Sequence, residues 1–361
     1  MRVSVLCPYS LSTPGGVQVQ VLGLARALRE LGHDARVIAP CDGPPPEPGI
    51  VTVGSSAGFR SNGSISPVAA GREVTRRTLD AIHSFGPDVL HLQEPMVPGP
   101  TVAALLGSDV PSVGTFHASS AQGINWYRFF GRPVRTASRQ LSVRTAVSEE
   151  ARESAEQVIG GHFWVVPNGV EAERYAKADP WPTDGVPVIL YVGRHEPRKG
   201  LGVLLEAFAG LDRDAVLWIV GEGPETEALR ARDIPHVEWL GTIPEAEKAS
   251  RLRAATVFCA PSLRQESFGI VLLEAMAAGA AVVASDIPGY RNVARPDEDA
   301  LLFPAGDVDA LRDRLRHLLD DPVRRAELVA AGERRAAQFS MQRLAERYLP
   351  VYEAAVARGR P

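Results

Sequence analysis

Cysteine is scarce in this chain: three among 361 residues, Cys7, Cys41 and Cys259, far apart and without CxxC spacing. That excludes a disulfide framework and a cysteine-based zinc site. Buried free thiols in a reducing compartment are the expected state. Long apolar runs are lacking too. No stretch approaches the ~20 residues of a membrane span. The opening "MRVSVLCPYS" has no apolar core followed by a cleavage site, so no secretory signal is read there and a cytoplasmic protein is expected. Nor is there a surplus of positive charge: 39 basic residues against 43 acidic ones give a formal net charge of −4. A global attraction to nucleic acid or to an anionic membrane is excluded, and any such contact has to come from a local patch. A complete G-x-G-x-x-G is missing as well, since "VGEGPET" carries Thr226 at the third glycine. That argues against a nicotinamide oxidoreductase.

What is present is an alternation of strands and helices. Hydrophobic residues make up 45% and charged residues 23%, an ordinary globular profile on a length that suggests two domains. "RVSVLC" reads as a strand and is followed by the loop "PYSLSTPGG". A helix then places Leu22, Ala25, Leu28 and Leu31 on one side, with Gly32 as its stop. Residues 43–66 read as an irregular connection with short strands, followed by a helix near 68–85. The strands "DVLHL", "PSVGTF", "LSVRTAV" and "FWVVP" come next. The rhythm breaks over 176–187 and resumes with "PVILYVG", "AVLWIVG", "VEWLG", "TVFCAP", "AAVVAS" and "ALLFP", with helices near 200–210, 224–232, 244–253 and 269–278, and long helical segments from 307 onward. Uncharged strands between amphipathic helices imply parallel sheets covered on both faces. The expected architecture is α/β, two Rossmann-like doubly wound domains over 1–169 and 170–340. The last helix, about 341–358, is expected to pack back on the first domain. In such sheets ligands bind beyond the carboxyl ends of the strands.

Four post-strand loops stand out. "STPGGV" sets Gly15 and Gly16 before a helix, where backbone amides can approach an anion; a plain tight turn is the alternative. "GTFHAS" places His117 past a strand, as a partner for a hydroxyl, a proton carrier or a satisfied core histidine. "YVGRHEPRKG" crowds Arg194, Arg198 and Lys199 at a strand end, where they repel one another unless an anion lies between them; a solvated turn is the alternative. "RQESFGIVLLEAMAAG" puts Glu266 before a helix capped by Ser267 or Gly269, and Glu274 inside it. Helical side chains lean toward the N-terminus, so both carboxylates are expected to face one opening. Carboxylates suit sugar hydroxyls. Phosphate donors beside hydroxyl acceptors describe a sugar nucleotide.

Through "CPYSLSTPGGVQ", "DVLHLQEP", "TFHAS", "VGRHEPRKG" and "CAPSLRQESFGIVLLEAMAAG", the sequence resembles the retaining glycosyltransferases of the GT-B fold over nearly its whole length. Within that family it is most similar to the actinobacterial phosphatidylinositol mannosyltransferases. The resemblance implies an interdomain cleft in which Arg194, Lys199, Gly15 and Gly16 hold the donor diphosphate. It implies Glu274 on the ribose, and Glu266, with Ser267, Phe268, Gly269 and Ile270, about the transferred hexose. His117 would contact that sugar. Ile243, Glu245 and Lys248 would surround a guanine, whose N1–H and exocyclic amine a carboxylate can accept from, which favours GDP-mannose. Tyr9 and Gln18 would meet the acceptor. The implied reaction retains the anomeric configuration, the leaving diphosphate taking the acceptor's proton as the domains close and exclude water.

Two departures bear on an inositol-lipid acceptor. The family's basic membrane-binding helix is reduced here to Arg72, Arg76 and Arg77 in "GREVTRRTLDAI". The stretch after His117, "ASSAQGINWYRFFGRPVR", has no lysine where an acceptor phosphate contact is expected, and its aromatic cluster Trp126, Tyr127, Phe129 and Phe130, beside Arg128 and Arg132, fits lipid headgroups or a core. Location is expected to be cytoplasmic, peripheral on the inner face of the membrane if the acceptor is a lipid. The DxD strings (Asp212/Asp214, Asp297/Asp299, Asp307/Asp309) are read as caps, so no metal and no cofactor are expected. A UDP-sugar enzyme with a soluble acceptor and a non-catalytic nucleotide-binding regulator remain as alternatives.

Overall fold

A computed structural model of the chain describes residues 1–13, 15–61, 64–118 and 131–361. Pro14 of the first glycine loop and residues 119–130, with the aromatic cluster and Arg128, lie outside the described residues. Two compact units emerge: Met1–Gly169 together with Met341–Pro361, and Val170–Ser340.

The first unit is built on a seven-stranded sheet in the order β3 (Ile50–Thr52), β2 (Asp34–Ala39), β1 (Arg2–Leu6), β6 (Val89–Gln93), β7 (Ser112–Phe116), β8 (Val143–Ala146), β9 (Trp164–Val165). Every pairing in it is parallel. A separate antiparallel ribbon joins β4 (Ala57–Ser61) and β5 (Ser64–Val68). That ribbon delays the following helix to Arg72–Phe85, later than the periodicity suggests, because Val68 still belongs to a strand. At the centre of the sheet Val5 lies between Val37 and His91. The helix Gly16–Glu30 buries Val21, Leu24, Ala25 and Leu28, while Leu22 and Leu31 pack at the margin of the same core. Gly32 follows its end at φ +84°, the left-handed geometry that glycine adopts at least cost. The C-terminal helix Met341–Arg358 packs on this core through Leu344, Tyr348, Val351 and Tyr352. Burying each such side chain contributes about 1.5–3 kcal/mol.

The second unit repeats the plan with a six-stranded parallel sheet, β12 (Val237–Gly241), β11 (Val216–Val220), β10 (Val188–Val192), β13 (Val257–Ala260), β14 (Ala281–Ser285), β15 (Leu301–Phe303). Strand order reverses between β1 and β6 in one unit and between β10 and β13 in the other. Loops leaving the carboxyl ends at such a reversal diverge and open a crevice. Tyr9, Gly15, Gly16 and Gln18 follow β1, His117 follows β7, and Gln93 ends β6. In the second unit Arg194 and Lys199 follow β10, and Glu266 follows β13. The three cysteines are buried free thiols; burial pushes the Cys7 thiol up to about 12. Of the DxD strings only Asp307 caps a helix, accepting from the Ala310 N–H. Asp212 instead binds Arg213 and Arg316, and Asp299 binds Arg295.

Candidate active site

In the second unit the loop after β10 is pressed against its neighbours by glycines. A Cβ on Gly200 (φ +67°) would lie 2.0 Å from the Pro261 carbonyl oxygen, and one on Gly221 (φ +115°) 2.1 Å from that of Gly193. One on Gly223 would lie 2.5 Å from the His195 carbonyl oxygen. The "GEG" glycines therefore serve loop-to-loop packing within the protein. The Leu263 N–H also donates to the Arg198 carbonyl at 2.7 Å, joining the loops that follow β10 and β13.

Those loops carry the first charge cluster. Lys199 Nζ lies 2.6 Å from Glu266 Oε1, and Arg198 lies 3.4 Å from the same oxygen. Arg198 and Arg194 flank Glu196 at 2.9 and 3.1 Å. The three crowded cations are thus partly offset by two carboxylates of the protein itself, which leaves the cluster one positive charge in excess. Glu196 took no part in the sequence reading; its signal was a carboxylate inside a basic run. The Ser262 hydroxyl also reaches Glu266 at 3.0 Å and the Tyr290 hydroxyl at 2.8 Å. Glu266 is accordingly fixed by Lys199, Arg198 and Ser262.

Glu274 belongs to a different cluster. Lys248 Nζ is 3.1 Å from both its oxygens and 3.0 Å from Glu245, with the Tyr175 ring 5.7 Å away. Burial alone would lower the Lys248 pKa, yet the Glu274 and Glu245 charges outweigh it and hold it above the ordinary value. The same Glu274 charge, after burial, raises Tyr175. Glu266 and Glu274 are thus each held by a different lysine, Lys199 and Lys248. The chain has only three lysines, Lys177, Lys199 and Lys248, among 39 basic residues, and two of them occupy these clusters. Ile243 is partly buried just before the helix Glu245–Ala254.

The helix Ile270–Ala277 begins at Gly269, which is left-handed (φ +89°) and makes no side-chain cap; Ser267 is not the cap. A Cβ on Gly269 would press within 2.8 Å of the Tyr290 ring. With no acidic residue in its first turn, this terminus keeps its partial positive charge. Ser267, Phe268, Gly269 and Ile270 form the approach to it.

In the first unit the helix Gly16–Glu30 likewise starts from Gly15 without a side-chain cap or an acidic first turn. Gln18 folds over Gly15, where a Cβ would lie 2.4 Å from Oε1. Its amide nitrogen donates to the Ser10 and Thr13 carbonyls, which ties the side chain to the loop. Tyr9 is held well above its ordinary pKa by burial and then by the Glu94 charge.

His117 is gripped by two residues the sequence reading quoted without giving them roles. Its ring Nε2 meets Gln93 Oε1 at 2.5 Å, and its backbone N–H donates to Glu94 at 2.8 Å. Burial pushes His117 down to about 4 and Glu94 up to about 7. At neutral pH His117 is therefore an uncharged hydrogen-bonding group. Of its possible roles, a partner for hydroxyls fits and a reservoir of protons does not.

Comparison with known proteins agrees with this geometry. The family model "Glycosyltransferase Family 4" matches residues 14–174, and "Glycosyl transferases group 1" matches residues 175–335. The chain is 38% identical to a phosphatidyl-myo-inositol mannosyltransferase of Mycolicibacterium smegmatis, over 98% of this chain and 94% of that protein. It is 30% identical to a GDP-mannose-dependent alpha-mannosyltransferase of Mycobacterium tuberculosis, covering 90% of each. Among solved structures, sucrose-phosphate synthase from Thermosynechococcus elongatus superposes with a TM-score of 0.78 at 20% identity, over 99% of both chains. Two doubly wound units, a lysine-held glutamate before a helix and full-length identity of this degree converge: the chain belongs to the GT-B glycosyltransferases and is an enzyme of glycosyl transfer.

Proposed function

We propose that this enzyme transfers mannose from GDP-mannose, with retention at the anomeric carbon, to a hydroxyl of a phosphatidylinositol-type lipid. The observation that carries the reading is the pair of lysine–glutamate clusters in the second unit, in a chain 38% identical to a phosphatidyl-myo-inositol mannosyltransferase. Lys199 and Arg194, with the amides of Gly15 and Gly16, would take the charge that grows on the departing diphosphate. Glu274 would bind the ribose hydroxyls. Glu266, held by Lys199 and Ser262, would accept from the hexose, and the approach Ser267–Ile270 would add backbone N–H groups. Glu245, with Ile243 and Lys248 beside it, would accept from the guanine edge. His117 would meet the hexose, and Tyr9 and Gln18 would lie toward the acceptor. The leaving diphosphate would remove the acceptor's proton on the same face. The cations take the charge-stabilising role, and we propose that neither a metal nor a cofactor is required.

A lipid acceptor implies work at a membrane face. Among the described residues no helix is long and apolar enough to cross a membrane. In Arg72–Phe85, Arg76 binds Glu73 and Asp80, and Arg77 binds Glu73. Those two charges lie beside Glu73 and Asp80, so the helix is a weaker basic patch than its arginine count suggests.

The test incubates the protein with GDP-mannose and phosphatidylinositol vesicles and measures GDP release and mannolipid. Release only with the lipid present supports the reading. Calorimetric titration separates the UDP-sugar alternative: GDP is expected to bind at least about tenfold more tightly than UDP, equivalent to ~1.4 kcal/mol. Equal affinities would remove the guanine assignment of Glu245. Nucleotide binding without turnover of any sugar donor would instead indicate a regulator.

A further inference from the structure

Among the described residues the ring of His117 is held on one side only. Nε2 meets Gln93 Oε1, while Nδ1 has no partner among the described residues. Gln93 is itself buried, and its amide nitrogen lies 2.9 Å from His91 Nε2. The His91 Nδ1 lies 2.8 Å from the Tyr352 hydroxyl, and its Nε2 is 2.6 Å from Thr115 Oγ1. Thr115 in turn contacts the Thr145 and Tyr348 hydroxyls at 2.6 and 3.0 Å. His117 is thus the outer end of a buried chain of neutral groups anchored on the helix Met341–Arg358.

The glutamine sets the direction of that chain. Its oxygen can only accept and its nitrogen can only donate. With the oxygen on His117 and the nitrogen on His91, His117 donates from Nε2. His91 then accepts at Nε2 and donates from Nδ1 to Tyr352. We propose that Gln93 is a positioning residue that fixes the tautomer of His117, so that Nδ1 presents a lone pair to a hydroxyl of the transferred sugar. The inference rests on the proposed placement of His117 against the hexose.

Adjacent Glu94 completes the grip. Its carboxylate accepts from the backbone N–H groups of His117 and Ala118 at 2.8 and 3.0 Å. Glu94 itself is left-handed at φ +47°, a conformation that costs energy for any residue with a side chain and persists where its surroundings hold it. Two consecutive residues therefore fix His117 by ring and by backbone. Burial lowers the His117 pKa to about 4, which keeps the lone pair available at neutral pH.

The test is long-range proton–nitrogen correlation on histidine-labelled protein, with transfer kinetics and melting measured on the same samples. Wild type is expected to show Nε2–H and an unprotonated Nδ1 for His117 from about pH 6 to 8. Gln93→Met removes the acceptor. Mixed tautomers are expected, with kcat lowered roughly five- to tenfold and KM for GDP-mannose changed less than about twofold. Gln93→Glu keeps an acceptor oxygen. It should retain Nε2–H, raise the ionisation of His117 and add an acid limb to the rate profile, because an imidazolium has no lone pair to offer. A wild-type spectrum with Nδ1–H, the amide reversed, would overturn the proposal. Unchanged kinetics in a Gln93→Met protein with mixed tautomers would do the same. Full-rate transfer by His117→Ala would show the sugar placement itself to be wrong and take the functional half of the proposal with it. The tautomer lock would still be judged by the spectrum.

Discussion

In the second unit, Lys199 sits 2.6 Å from Glu266, and Lys248 lies between Glu245 and Glu274. In the first unit the chain from His117 through Gln93 and His91 to Tyr352 contains no cation at neutral pH. The difference follows the chemistry each would meet. A lysine already held by carboxylates has its desolvation offset in the resting protein and can shift its contacts to a phosphate as charge develops. Neutral donors and acceptors instead match sugar hydroxyls, whose orientation matters more than the strength of any one bond. One fold, used twice, thus carries ion-paired clusters in one unit and a neutral hydrogen-bonded chain in the other.

The comparison can be broken most sharply at Lys199. Lys199→Ala or Glu266→Ala is expected to cut transfer by about 10²–10³-fold or more with the fold intact, read as GDP release beside a melting curve. Wild-type turnover in either variant would sink the assignment of the charged site. The second cluster should respond in stability. Lys248→Met strands two carboxylates, Glu274 among the buried residues, and is expected to destabilise the second unit by about 3 kcal/mol in denaturant titration. A loss under about 1 kcal/mol would mean the cluster is hydrated and not pre-paid in the fold.

Acid should sharpen the contrast. Burial pushes His91 down to about 3 and His117 to about 4, from an ordinary 6.5. Unfolded histidines bind protons below pH ~6.5 while the folded ones do not, so stability is lost as pH falls. Between pH 6.5 and 5 each contributes a loss of about 2 kcal/mol. Glu94, raised to about 7, works the other way, because the folded state holds a proton that the unfolded state has released. Glu94→Gln should therefore steepen the acid loss and His91→Gln should make it shallower, by urea titration across that window. No difference in slope between the two variants would contradict the burial argument. In the second unit only His195 has a comparable depression, to about 4. The smallest effect is expected at Arg76, exposed and paired with Glu73 and Asp80. Arg76→Ala should leave Tm and vesicle binding unchanged, and a marked loss of vesicle binding would restore that helix as a membrane contact.

Much of this was legible along the chain. β10, β11, β13 and β14 are apolar runs that sequence marks directly, and Gly32 and Gly269 occur where left-handed turns are needed. The motif glutamates stood out because apolar residues surround them. Their partners did not. Lys199 and Glu266 are 67 positions apart, Lys248 and Glu274 26, and Gln93 and His117 24. The Glu196 carboxylate inside a run of cations and the "QE" after a strand looked like ordinary polar residues. The spacing of Glu266 and Glu274 gave no sign that each is held by a different lysine.

The sequence by itself determined the alternation of strand and helix, because burial on one or both faces imposes a period on the apolar residues, and it determined which loops are rich in charge and glycine. Only the tertiary structure decided which carboxylate neutralises which cation and which amide orients His117. Those choices depend on how parallel strands are ordered in the sheet. That order brings together residues tens to hundreds of positions apart, as Tyr352 meets His91 across 261, and no local pattern encodes such a distance.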